Sequence, residues 1–298
     1  MHTAPRIPLA LVVTADDFGL GVATSQGILR AHRQGPVTAT SLMTITGEHV
    51  RASVGLLADA PDLDVGLHVV LTECGHRPLV AGQSSGLVGR DGRFVSNGRL
   101  WRRAFGRRLN QAAVAEEIAA QAELFHRLLD RRPAFVDGHH HAHQLPIIRD
   151  ALLDVIRQGL LPPVTRITAE APQMIRRVPS ARVRRLAADF LGRRAAPIFR
   201  RNGLFANDYF FGMLAPRLLQ QDFPWQGFLN HLPVSGVVEW VVHPGMADDT
   251  LIGRDDYRTG RVKELESLTH LQGVEAWKHL SQNLARKSIL ASLAIGHR

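Results

Sequence analysis

Short apolar runs and stretches of helical periodicity alternate along the first two thirds of the chain. Leu9–Thr14 is a continuous apolar run that reads as a buried strand, followed by a helix over Ser25–His32 with Ser25 as its cap. Thr38–Thr44 is rich in β-branched residues and predicts a strand; Val50–Asp59 predicts a helix and Leu63–Val70 another strand. The clearest amphipathic period covers residues 112–130, where Val114, Ile118, Ala122 and Phe125 recur on one face. Phe135–Asp137 then reads as a strand, Ile147–Arg157 as a helix, Arg166–Thr168 as a strand and Val237–Val242 as a fully buried strand. Strand and helix in alternation predict parallel βα units with helices outside the sheet. Repeated over 298 residues, such units favour an α/β fold of (β/α) barrel type, distorted or incomplete, in a single domain spanning residues 1–298. Periodicity alone does not separate a barrel from an open sheet.

Two stretches interrupt the alternation and read as irregular insertions: about 75–110 and 171–216. Arginine collects there, with seven arginines in 90–108 and nine in 176–201. The formal net charge is +9, and only Lys263, Lys278 and Lys287 among the 36 basic residues are lysine. Such a balance fits an anionic partner but does not choose among nucleic acid, headgroups and acidic substrates, and a solvated surface is the ordinary explanation of a charge run. Within 182–194, Val183, Leu186, Ala187, Phe190 and Leu191 share one helical face, with Arg182, Arg185 and Arg193 roughly opposite. That is the form of an interfacial helix, although Arg194 falls on the apolar side. The apolar run Pro8–Val13 is too short for a signal core, and no segment offers ~18 uninterrupted apolar residues. A cytoplasmic protein is expected, with peripheral contact at an anionic membrane surface left open. A single cysteine, Cys74, excludes a disulfide scaffold and a cysteine-built zinc site.

Four polar clusters follow predicted strands, where α/β folds place their sites. The first is Asp16-Asp17, whose mutual repulsion a divalent cation would offset. A turn or cap aspartate explains a lone pair of this kind equally well. The second is His68; a lone strand histidine is more often a hydrogen-bonded core residue. The third, DGHHHAH (Asp137–His143), puts four histidines in five positions. Folding stability gives no reason for such an accumulation, and neutral imidazole is the commonest metal ligand. The fourth is His243-Pro244-Gly245. A carboxylate with two histidines makes an open three-ligand metal site, a second carboxylate can take a proton, and a further histidine can deliver one to a leaving group. Together the clusters point to metal-dependent hydrolysis.

TADDFG, GLH, DGHHHAH and HPG, in this order and at these separations, resemble the YdjC/ChbG-type carbohydrate deacetylases from about Leu9 to about Asp256. The resemblance implies a (β/α) barrel-like fold and removal of acetyl groups from N-acetylated amino sugars with one divalent metal. It implies Asp17, His68 and His139 as metal ligands, Asp16 as catalytic base and His243 as general acid. The family more often has serine at Gly138 and a bulkier residue at Ala142. NDYFFG (Asn207–Gly212) with DYRTG (Asp256–Gly260) is similar to the hopanoid-biosynthesis-associated (HpnK-like) members, which implies an N-acetylglucosaminyl hopanoid as substrate; a soluble chito-oligosaccharide is the alternative. His141, His143, Asn207, Asp208 and Tyr209 are expected to line the sugar pocket. Two imidazoles and a carboxylate suit zinc, with magnesium or manganese also admissible. A basic nucleic-acid-binding module is the rival of another class, but no recognition motif of that kind is present, and no nucleic-acid partner is expected. A two-metal phosphoesterase is a second rival, separated by its metal count. Homo-oligomerisation is left open.

Overall fold

The computed structural model describes residues 9–73, 75–177, 181–212, 225–252 and 255–295. Eight parallel strands are described: β1 (Ala10–Phe18), β2 (Ala39–Leu42), β3 (Asp64–Val69), β4 (Val136–Gly138), β5 (Val164–Thr165), β6 (Phe205–Ala206), β7 (Tyr209–Phe211) and β8 (Val237–Val242). Around them lie α1 (Val22–Gln34), α2 (Glu48–Val54), α3 (Asn97–Phe105), α4 (Gln111–Leu129), α5 (Ile148–Arg157), α6 (Pro172–Arg177), α7 (Arg182–Arg201), α8 (Trp225–Leu229), α9 (Arg258–His270), α10 (Glu275–Leu280) and α11 (Lys287–Ile295).

The strand order is β6-β5-β4-β3-β2-β1-β8-β7, so the two edge strands are neighbours in sequence. β6 pairs with β5 and β7 with β8, which brings the curled sheet round on itself into a barrel-like fold. The joint between them is Asn207-Asp208. Asn207 accepts from the Ile167 amide and donates to the carbonyls of Ile167 and Tyr209, while Asp208 accepts from the Val237 amide. Val237 begins β8, at the opposite end of that strand from His243. Both side chains therefore hold the seam of the barrel.

Several predicted boundaries move, each for a tertiary reason. β1 continues four residues past the predicted end at Thr14, because β2 and β8 flank it on both sides and its polar residues find partners inside the barrel. α1 begins at Val22 with Gly21 as its cap, not Ser25. The Ser25 hydroxyl instead donates to the Gly21 carbonyl and accepts from the Gly19 amide, tying down the turn after β1. The strand expected at Arg166–Thr168 ends at Thr165. The segment read as irregular over 171–216 holds α6, the 20-residue α7, β6 and β7; its residues 178–180 and 213–216 lie outside the described residues, as does Cys74.

The same segment corrects the interfacial-helix pattern in one respect. Arg185 is buried against Glu170, with its Nη2 at 2.8 Å from Oε1, and does not face solvent. Gly192 makes this seat for α7 possible, since a Cβ there would stand 2.4 Å from the Ala169 amide nitrogen. The insertion at 75–110 is irregular apart from α3 and a short 3-10 turn, yet Leu87, Val88, Phe94, Val95 and Leu100 are buried in the main core. The buried Glu117 carboxylate of α4 fixes its start by accepting the amides of Leu79, Val80 and Ala81.

Candidate metal centre

The four sequence clusters converge at the carboxyl ends of β1, β3, β4 and β8. Asp16 and Asp17 lie in β1, His68 in β3, His139 directly after β4 and His243 directly after β8. Asp17 Oδ1 is buried and accepts no hydrogen bond among the described residues, while His68 Nε2 and His139 Nδ1 each stand 3.4 Å from it. A buried carboxylate oxygen left unpartnered is costly, so an atom with two imidazole nitrogens around it suits a cation. One ligand atom from each of Asp17, His68 and His139 lies within 4.8 Å of the others, and the donor set of two nitrogens and one carboxylate suits zinc. Backbone strain accompanies this arrangement: Asp17, His140 and His141 adopt φ of 72°, 53° and 57°, a left-handed region uncommon for non-glycine residues.

Around these three groups lies a second set of contacts. His68 Nδ1 donates to Asp137 Oδ1 at 2.6 Å, which leaves Nε2 facing Asp17. This carboxylate–imidazole pair is the usual way of fixing a ligating histidine's tautomer and ring orientation. Burial opposes a charge on His68, but the carboxylates of Asp137 and Asp16 prevail and raise its pKa to about 10. Asp17 Oδ2 accepts from Arg261 Nη2 at 2.7 Å, and Arg261 Nε reaches Asp255 at 2.6 Å. Burial penalises the Asp17 carboxylate too, yet Arg261 and the two histidines hold it well below its ordinary range.

Asp16 meets different partners. Arg166 donates from Nη1 to Oδ2 at 2.7 Å and from Nη2 to Oδ1 at 2.8 Å, and the Ser41 hydroxyl donates to Oδ1 at 3.0 Å. Arg166 also pairs with Asp137 Oδ2 at 2.7 Å and, through Nε, with Glu239 Oε1 at 2.9 Å. Burial raises the Asp16 pKa, but Arg166 and His68 outweigh it and keep the group ionised.

His243 sits at the mouth, partly exposed. Its backbone amide donates to Glu264 Oε2, its Nδ1 lies 3.8 Å from the same oxygen, and its ring packs edge-on against Tyr257. The Tyr257 hydroxyl donates to the other Glu264 oxygen at 3.2 Å.

Among the remaining expected residues, His140 stacks on His139 at 3.9 Å and contacts the Thr72 hydroxyl. His141 packs edge-on against Phe210, with its Nδ1 buried and unpartnered among the described residues. His143 turns away: its Nε2 meets the Arg166 carbonyl at 3.0 Å, and the ring pins the histidine loop to the chain after β5. Tyr209 is a half-buried β7 residue packed on the core, so the aromatic that reaches the histidine loop is Phe210.

Sequence reasoning assigned no role to Ser41, Asp137, Arg166, Glu239, Arg261 or Glu264. For two of them a signal existed. Arg166 in VTRIT and Glu239 in VVEWVV are single charges inside apolar, β-branched runs, where each needs an opposite charge.

Comparison with known proteins follows this geometry. The YdjC-like protein family matches residues 10–279. A carbohydrate deacetylase of Vibrio vulnificus (strain YJ016) is 37% identical over 154 residues, covering 52% of this chain and 58% of that protein. A chitooligosaccharide deacetylase of Yersinia enterocolitica serotype O:8 is 40% identical over 152 residues, covering 51% and 57%. The chain thus spans little more than half the length of the curated relatives it matches. A crystal structure from Enterococcus faecalis V583, provisionally described as a cellobiose-phosphate cleavage protein, superposes with a TM-score of 0.73 at 23% identity, covering 96% of this chain and 99% of that one. The fold is therefore shared along nearly the whole chain. With the family match running from β1 into α10, across every strand that carries the Asp-His cluster, the chain belongs to the YdjC-like protein family.

Proposed function

We propose that this protein is a metal-dependent N-deacetylase that hydrolyses the acetamide of an N-acetylated amino sugar and releases acetate and a free amine. One observation carries the reading: the unpartnered, buried Asp17 Oδ1 faced by His68 and His139, with the Asp16 carboxylate beside it. The names of the relatives, carbohydrate deacetylase and chitooligosaccharide deacetylase, support the substrate class. Asp17, His68 and His139 would hold one divalent ion, zinc by donor chemistry, with magnesium or manganese admissible. When bound, such an ion polarises the acetamide carbonyl and acidifies water. Asp16, kept ionised by Arg166, accepts the proton of the attacking water. Asp137 holds His68 in the tautomer that presents Nε2 to the metal side. His243 delivers a proton to the departing sugar nitrogen, its ring steered by Glu264 and Tyr257.

A second reading places the acetamide on a membrane-borne glycolipid such as an N-acetylglucosaminyl hopanoid. It is favoured by an apolar stripe on α7, where Val183, Leu186 and Phe190 are 82%, 51% and 48% exposed, beside the exposed Arg182 and Arg184. An anionic bilayer surface would match both features. No helix among the described residues is long and apolar enough to cross a membrane. One assay tests both readings. Acetate release is followed from chito-oligosaccharides in solution and from the N-acetylglucosaminyl glycolipid in anionic vesicles, with and without chelator. Chelator-sensitive release from either substrate is expected; release from neither, or release unaffected by exhaustive metal removal, would overturn the deacetylase reading. Turnover of the soluble sugars alone would overturn the glycolipid reading.

A further inference from the structure

Lys287, one of three lysines in the chain, is buried inside the barrel. It stands at the start of α11, beyond residue 279, where the family match ends. The chain just before it docks on the amino-terminal end of the barrel: the Ala285 amide donates to the Leu11 carbonyl at 2.9 Å, and Leu284 bridges Leu11. Asp64, at the start of β3, accepts from Arg286 Nε, the Ser288 amide and the Ser288 hydroxyl. Held from both sides, Lys287 enters the barrel from the end opposite the metal centre.

Its Nζ lies 4.6 Å from the centre of the Phe135 ring and donates to Glu239 Oε2 at 2.7 Å. From Glu239 a line of buried ion pairs runs up the barrel. Glu239 Oε1 meets Arg166 Nε at 2.9 Å; Arg166 meets Asp16 and Asp137, each at 2.7 Å; and Asp137 meets His68 at 2.6 Å. Two cations stand among three carboxylates, with every member essentially removed from solvent. Arg166 bridges Asp16 and Asp137, and Glu239 draws on it too. Lys287 takes up the second oxygen of Glu239 and so fixes where that carboxylate sits. The Nε side of Arg166 is thereby anchored, and its Nη atoms are aimed at the two site carboxylates.

We propose that Lys287 is a positioning residue for the metal centre, acting through Glu239 and Arg166 on Asp16, Asp137 and His68. The inference rests on the reading of Asp17, His68 and His139 as a metal site. Losing Lys287 alone strips the buried Glu239 Oε2 of its cation and can prevent folding, so the test uses the double change Lys287→Met with Glu239→Gln. Neutral isosteres in place of a buried ion pair are commonly neutral or stabilising to the fold. The expected result is a Tm at or above that of the parent, with zinc affinity by calorimetry about 10–100-fold weaker, the usual effect of disturbing an outer partner of a metal ligand. For acetate release, kcat falls and KM holds. An unchanged zinc affinity and kcat would overturn the proposal, and so would losses that merely track a fall in Tm. Absence of zinc binding in the parent protein is a separate result that removes the metal reading itself, and the inference with it. Weakened zinc binding in the double variant of a protein with no deacetylase activity would sustain the inference while the catalytic reading fails.

Discussion

Asp16 and Asp17 adjoin in sequence, yet their carboxylates meet opposite surroundings. The left-handed backbone at Asp17 turns its side chain toward Arg261 and the two imidazoles, while Asp16 faces Arg166 inside the barrel. The division of labour follows from the partners. Asp17→Asn is expected to weaken zinc retention, because one oxygen of the proposed ligand set becomes an amide. Asp16→Asn should keep the metal and lose roughly 10²–10⁴-fold in kcat, the usual worth of a general base. Metal analysis of both purified variants, set beside acetate-release kinetics, checks the pair; the reverse pattern would exchange their roles. The histidines divide in the same way. His68→Ala and His139→Ala should each abolish zinc retention, since each removes one of three ligands. His140→Ala should retain zinc, because its ring stacks on His139 and its Nδ1 contacts Thr72. Full zinc occupancy in His139→Ala would move the ligand role to a neighbouring histidine.

Elements reach the site through close backbone contacts that only small residues allow. Gly27 of α1 faces Gly245 of the His-Pro-Gly turn, where a Cβ would lie 2.5 Å from the Gly245 Cα. That contact presses the His243 turn onto α1, and the Met246 amide donates to the Ala23 carbonyl beside it. On α7, Gly192 plays the same part against the chain after β5, the segment that carries Arg166. Gly192→Ala is expected to destabilise by about 1–3 kcal/mol, the usual range for overpacking, even though alanine is the better helix former. Thermal unfolding measures this; an unchanged or raised Tm would mean that α7 stands clear of that chain.

At the scale of the whole molecule, the +9 charge is less a surface property than the composition suggests. Arg166, Arg185, Arg261 and Lys287 are spent inside the fold against carboxylates. These interior pairs tie stability to pH. Burial alone would raise the pKa of Glu239, but Lys287 and Arg166 outweigh it and hold it below its ordinary 4.5. A carboxyl depressed in the folded state contributes stability that is fully present above the unfolded pKa and lost as pH falls through the lower folded value. Metal-free protein should therefore lose Tm as the pH drops below about 4.5, and Lys287→Met with Glu239→Gln should flatten that descent. Parallel acid descents in the two proteins would show that the pair adds nothing to acid sensitivity.

The sequence by itself determined the strand-helix alternation, because burial on a parallel sheet leaves continuous apolar runs such as Val237–Val242. It also held the Asp-His cluster, since Asp17, His68 and His139 each lie at or just past the end of such a run and their side-chain chemistry is visible without coordinates. Contacts between residues far apart in the chain decided the rest. Arg166 and Asp16 are 150 positions apart, and Arg261 and Asp17 are 244 apart, so no local pattern could pair them. The seam at Asn207-Asp208 fell within a stretch that read as irregular because its hydrogen bonds go to Ile167, just past β5, and to Val237 of β8, which only closure of the sheet brings near. The helical face of 182–194 was legible, but Arg185 read as a solvent-side arginine because Glu170, which neutralises it, lies outside the helix. Local residue type sets which atoms can ligate, accept or donate; the fold sets which of them are left unpaired, and that remainder is the site.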